Sequence, residues 1–258
     1  MRSFKIFAAA TILLSCMTAK AQELVIRIDD MGALHSVNTA SIDTYQNGIA
    51  KSVEVLAVGS WFPEAVKMLK ENPGLDVGIH LAITSEWENV KWRPLTQCPS
   101  LVDENGFFYP MMGPNPAYPG QSVMENMANF DIEEIEKEFR AQIELALKNI
   151  PQITHISGHM FSTGFSPEVV AVVQKLSDEY NLPSIDRAES FEQYGFTYAG
   201  YDGPKATLEE KVESFIKALD KMEKGKRYMF VDHPAYNDSE MQTVMLVGYE
   251  DVAVDRQG

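Results

Sequence analysis

The sequence predicts an α/β protein built on a parallel sheet, and three observations carry that reading. Short apolar runs bounded by turn residues alternate with helical segments through most of the chain. Several of those runs end in histidine or aspartate, and α/β barrels and open α/β sheets build their sites at strand C-terminal ends. The length, 258 residues, suits one large α/β domain as well as two small ones. No repeat or linker divides it, so a single barrel with a full core is the expected arrangement.

The elements follow in order. Leu24 to Asp29 reads as a buried first strand, and a helix runs from about Val37 to Asn47, stopped by Gly48. Ser52 to Val58 is a second strand. Pro63 opens a helix that stops at Glu71, before Pro73-Gly74, and Asp76 to Ala82 is the third strand. Thr84 to Asp131 has no periodic pattern and is rich in Pro, Gly and aromatics; excursions of this length usually act as lids or binding surfaces. Asp131, with a carboxylate three residues on, caps a helix that reaches Asn149. Ile153 to Ser157 is the fourth strand, Ser166 caps a helix over Pro167 to Tyr180, and Ser184 to Arg187 reads as a short fifth strand. A helix from Leu208 to Glu223, ended by Gly225, leads to a sixth strand at Arg227 to Asp232, and no closing helix is expected after it.

Residues 1–21 stand apart. Arg2 and Lys5 precede an apolar run from Ile6 to Met17, and Ala19-Lys20-Ala21 offers a small-x-small cleavage site. This is the pattern of a secretory signal peptide, too short for a stable membrane span, and it implies a secreted or periplasmic protein. A lipoprotein acylated at Cys16 is the minor alternative. The expected domain is then 22–258. Losing Arg2, Lys5 and Lys20, and no acid, takes the formal charge from −15 to −18. So acidic a surface argues against nucleic acid and anionic membrane as partners. Only Cys98 remains, so no internal disulfide forms and any metal site must use histidine and carboxylate. The oligomeric state stays open.

Histidine and aspartate are natural ligands for a divalent metal and natural proton carriers. Asp29-Asp30 closes the first strand. Neighbours on a strand point to opposite faces, but at a frayed end both reach the mouth, one to bind metal and one to take a proton. His80 ends Asp-Val-Gly-Ile-His. His159 lies at the exit of the fourth strand, whereas His155 lies deeper and suits a hydrogen-bonded supporting role. His233, before Pro234, is the candidate proton donor. His35 sits in a loop, as apt to touch substrate as to do nothing. Arg187 suits a substrate oxygen or a salt bridge with Asp186 or Glu189.

At these residues the chain resembles the YdjC-like carbohydrate deacetylases, within the polysaccharide deacetylase superfamily. The family's opening Asp-Asp-Phe-Gly followed by Asn appears as Asp29-Asp30-Met31-Gly32 with Asn38. Its Gly-x-His-Leu with a later Thr appears as Gly78-Ile79-His80-Leu81 with Thr84, and its Thr-His-x-Asp-Ser-His as Thr154-His155-Ile156-Ser157-Gly158-His159. A late His-Pro matches His233-Pro234, and Ser100 to Phe107 matches a further stretch. Two departures stand out: Ser157 replaces the third motif's Asp, and Met160 to Thr163 replaces the histidine-rich tail. Family chains also normally continue beyond an Arg such as Arg256, so the domain is expected to be shortened at its C-terminus.

The resemblance implies an irregular (β/α) TIM-like barrel of one domain, with a divalent metal ion, Mg or Zn, on Asp30, His80 and His159. It implies Asp29 as general base and His233 as general acid in removing an N-acetyl group from an amino sugar or oligosaccharide. Trp87 and Trp92, in the aromatic excursion, would stack on sugar rings, with His35 and Arg187 as further substrate contacts. A catalytically impaired carbohydrate-binding barrel is the alternative. A glycosidase fits less well, because its two carboxylates sit roughly 5–10 Å apart and the histidines would go unused.

Overall fold

A computed structural model of the chain describes residues 21–186 and 193–257. The expected signal peptide and Cys16 lie outside the described residues, and so does Arg187.

Six parallel strands form one sheet in the order β4-β3-β2-β1-β6-β5. They are β1 (Glu23–Met31), β2 (Ser52–Val55), β3 (Asp76–Leu81), β4 (Ile153–Gly158), β5 (Phe196–Ala199) and β6 (Arg227–Asp232). The crossovers carry α1 (His35–Gln46), α2 (Phe62–Glu71), α4 (Ile132–Asn149), α5 (Pro167–Tyr180) and α6 (Leu208–Asp220), with a short α3 (Val123–Asn126) in the excursion and α7 (Val252–Arg256) near the end. The expected caps form. Asp131 accepts from Glu133 N and Ser166 from Val169 N, each satisfying an amide that the first helical turn leaves open.

The sheet curls. Ser184 bridges Ile156 of β4, so the chain there lies four strand positions from β1, about 19 Å across a flat sheet. Yet Asp186 Oδ1 accepts from Arg27 Nη1 of β1 at 2.5 Å. The inner face must therefore be concave. The sheet stays open: β4 and β5 are its edges and do not pair with each other among the described residues. Six strands give a half-barrel where a closed parallel barrel has eight.

Alternation along the strands gives the two faces opposite chemistry. Ile26, Ile28, Val53, Val55, Val77, Ile79 and Ile156 point outward beneath the helices, and most are fully buried. Arg27, Asp29, Glu54, His80, His155 and Ser157 point inward, and each is at most 5 % exposed. Polar groups buried this deeply must satisfy one another.

Three further expectations change. Of the expected strand Ser184 to Arg187, the described residues make only the bridge at Ser184, and the true β5 begins at Phe196, beside β6. At four half-exposed residues flanked by Gly195 and Gly200, β5 is too short to show a pattern. The long excursion does not present its aromatics to solvent: Trp87, Trp92, Phe108 and Tyr118 are all buried, as a flap over the sheet's C-terminal edge. A closing helix does exist, since α7 returns over the site.

Candidate active site

A bulge at the end of β1 explains how neighbouring aspartates face one site. The β1–β2 register slips between Ile28 and Met31, and Asp30 takes a φ of 72°. Bulges of this kind re-aim a side chain, and a non-glycine residue at positive φ needs firm support. Asn38 supplies it. Its Oδ1 accepts from Gly32 N at 2.6 Å, and its Nδ2 donates to Trp61 O and Glu64. Gly32 itself has a φ of 100°, and a Cβ there would lie 2.7 Å from Leu56 O. The Asp-Asp-x-Gly…Asn motif is thus a device for turning the chain directly after the acid pair.

Asp30, His80 and His159 converge, with one donor atom from each lying within 4.8 Å of the others. Asp30 Oδ1 is 3.1 Å from His159 Nδ1 and 3.8 Å from His80 Nε2. All three residues are at most 3 % exposed. Asp30 Oδ1 makes no hydrogen bond of good geometry even so. Instead His159 Nε2 lies 3.0 Å from Glu86, and His80 Nδ1 lies 2.7 Å from Ser157 Oγ. Each ring meets an oxygen with its outer nitrogen and turns the other nitrogen toward Asp30. An orphaned carboxylate oxygen facing two ring nitrogens fits a divalent cation.

The electrostatics agree. Burial alone would raise Asp30, but His159, His233 and Arg256 outweigh it and hold its carboxyl well below the usual carboxylate range. Burial would lower His159, but the Glu86 and Asp30 carboxylates push it up to about 10 when no cation takes the proton's place. Burial and the neighbouring His159 take His80 down to about 3. Asp29 lies beside the triad, with Oδ2 3.7 Å from His80 Nε2. Both its oxygens accept from Arg27 at 2.8 Å. Burial, only partly offset by Arg27, pushes it up to about 8.

These groups line a cavity of about 610 Å³ at the C-terminal ends of the strands. Trp87, Phe161, Tyr198, His233, Tyr249 and Arg256 complete its wall. His233 is brought to the site as expected, and burial lowers its imidazole although Asp30 pulls the other way. Trp87 is there too, beneath the Arg256 guanidinium at 4.9 Å. Two expected substrate contacts are not. Trp92 is buried behind His159, its indole N–H donated to Thr84 O at 2.6 Å, and it does not line the cavity. His35 begins α1 and pairs with Glu64 at 2.9 Å, outside the cavity lining. His155 takes the supporting place, 2.6 Å from Glu54.

Glu54, Glu86 and Arg256 escaped the sequence reading. An acid inside Ser-Val-Glu-Val, on the polar beat of a strand, was a usable signal for Glu54. Arg256 donates to Asp30 Oδ2 at 3.0 Å across 226 residues, and no local pattern announces that.

The profile of the YdjC-like protein family matches residues 23–257. The chain belongs to the YdjC-like family. This YdjC-like protein is 30 % identical over 232 residues to carbohydrate deacetylase 1 of Listeria innocua, covering 86 % of this chain and 85 % of that one. It is 29 % identical over 218 residues to a carbohydrate deacetylase of Geobacillus stearothermophilus, covering 83 % and 80 %. Its fold matches a crystal structure from Enterococcus faecalis named for cellobiose-phosphate cleavage. That match has a TM-score of 0.69 at 23 % identity and covers 92 % of this chain and 89 % of that one. Among the described residues no helix is long and apolar enough to cross a membrane.

Proposed function

We propose that this YdjC-like protein hydrolyses N-acetyl groups from an acetylated amino sugar or oligosaccharide. It does so with a divalent cation, Mg or Zn, held by Asp30, His80 and His159. The observation that carries the reading is the orphaned Asp30 oxygen facing two imidazole nitrogens in a cavity that also holds the second acid, Asp29. The names of the Listeria and Geobacillus relatives support the substrate class. We further infer that the half-barrel is an open, irregular form of a TIM-like barrel, and that the protein works outside the cytoplasm after export.

A cation bound there would polarise the acetyl oxygen and acidify an attacking water. The chain's own residues do the rest. Arg27 clamps both oxygens of Asp29 and fixes the carboxylate beside the triad. Burial raises Asp29 above the usual carboxylate range and so strengthens it as a base, and it takes a proton from the water as the new C–O bond forms. His233 gives a proton to the amine nitrogen as the C–N bond breaks, and acetate and a free amino sugar leave. The buried flap of Trp87 and Trp92 keeps bulk water from the floor of the cavity.

Acetate release from a panel of N-acetylated oligosaccharides, before and after exhaustive chelation, tests the reading. Activity is expected to vanish with chelator, return with added Zn2+ or Mg2+, and be lost in Asp30→Ala. Activity that survives chelation overturns the metal reading. Sugar binding without acetate release in added metal replaces the enzyme with a carbohydrate-binding barrel.

A further inference from the structure

The two histidines of the triad are oriented in different ways. His159 has a carboxylate directly on its outer nitrogen, from Glu86. His80 has only the Ser157 hydroxyl, at the position where the third motif carries Asp. Behind that hydroxyl lies Glu54, fully buried, which accepts a short hydrogen bond from Ser157 Oγ on its Oε2. Its Oε1 accepts from His155 Nε2 at 2.6 Å, and Arg27 Nε lies 4.0 Å away.

The directions of these hydrogen bonds are forced. Two donors and a nearby guanidinium require Glu54 to be an acceptor on both oxygens, so Ser157 must donate to it. A hydroxyl has one proton, so its oxygen is left to accept, and the donor is His80 Nδ1–H. The proton of His80 is then fixed on Nδ1, and the lone pair on Nε2 is turned toward Asp30 and His159. The same logic runs outward from His155, whose Nδ1 meets Thr154 Oγ1, itself a donor to Asp76.

The sheet is built to admit this arrangement. Registers align Glu54 with Gly78 and Gly78 with His155 in one row across β2, β3 and β4, and set His80 beside Ser157 in the next. Glu54 and His155 meet over the missing side chain of Gly78. A Cβ there would lie 2.1 Å from Glu54 Oε2 and 2.4 Å from His155 Nε2.

We propose that Glu54 is a positioning residue for the metal ligand His80: through the Ser157 hydroxyl it holds the His80 proton on Nδ1 and leaves Nε2 free for a divalent cation. The carboxylate missing from the third motif is thereby supplied from β2. The inference rests on the metal reading above and deepens it.

Zn2+ titration of the full chain by calorimetry, with the melting temperature of the metal-free protein alongside, tests it. Ser157→Ala and Glu54→Gln are each expected to weaken Zn2+ binding about 10–100-fold, the usual effect of removing the partner of a ligating histidine. The paired exchange Glu54→Thr with Ser157→Asp places the carboxylate directly on His80 and is expected to restore parental affinity. A merely structural role would lower the melting temperature without moving the Zn2+ constant. Ser157→Ala removes a single oxygen. If it or Glu54→Gln folds and binds Zn2+ like the parent, or the folded exchange variant fails to recover binding, the inference is overturned. Absence of Zn2+ binding by the parent chain overturns the metal reading itself.

Discussion

The floor and the rim of the cavity are built on opposite principles. The floor consists of strand residues, Asp29, Asp30, His80, Glu54, His155 and Ser157, all at most 5 % exposed. The rim consists of residues from loops, the short edge strand β5 and the C-terminal segment, and there Phe161 is 75 % exposed and Tyr198 53 %. A metal site needs dry, over-determined geometry, because a misdirected donor costs affinity. A sugar-facing wall needs accessible rings and can vary. The floor should therefore respond to substitution in metal affinity and kcat, and the rim chiefly in KM.

His233 tests the boundary most sharply. It directly follows β6, close to the floor, yet its proposed role is proton transfer rather than a place on the metal. His233→Asn should lower kcat by about 10²–10⁴-fold, the usual worth of a general acid or base, while the Zn2+ constant stays near the parent's. If metal binding fell with kcat, His233 would belong to the floor.

Arg256 should give the next largest effect. It sits on the rim by sequence, but its guanidinium reaches the floor at Asp30 Oδ2 and covers the Trp87 ring. Arg256→Met keeps the length and the packing and removes the charge. We expect metal affinity or activity to fall about 10–100-fold, as for other partners of a ligating carboxylate. A change confined to KM would return Arg256 to the rim.

The same division explains what the sequence disclosed. Asp29, Asp30, His80, His159 and His233 were legible because each closes a strand or follows one closely, and strand ends can be read from hydrophobic patterning. Even the awkward neighbours Asp29 and Asp30 resolved by a local device, the bulge with Asp30 at positive φ. Arg256 was opaque because its partner lies across the whole chain. Trp92 misled because composition reports that a loop is aromatic and not which way its rings turn. The extent of the barrel was less legible than its parallel sheet. Alternation of elements dictates a parallel sheet but says nothing of whether its edges meet, and β5 was too short to be counted.

The smallest effect is the most diagnostic of the rim. Met160 and Phe161 are consecutive non-glycine residues at φ of 49° and 64°, directly after His159. Left-handed backbone costs an L-residue roughly 1–2 kcal/mol. The turn is held in place by Ser162, whose Oγ donates to Leu81 O at 2.5 Å and whose N donates to His159 O at 2.9 Å. What the strain secures is an exposed phenyl ring on the cavity wall, unsuited to the core and well suited to stacking on a sugar. Phe161→Gly relieves the backbone and removes the ring. We expect the melting temperature to rise, by about 1 kcal/mol of added stability. We also expect KM for an oligosaccharide to increase about 2–10-fold, the worth of one aromatic contact, with kcat little changed. Stability and substrate affinity would thus move in opposite directions at one residue. A gain in stability with KM unchanged would mean that the strained turn serves His159 alone and that Phe161 is not a substrate contact.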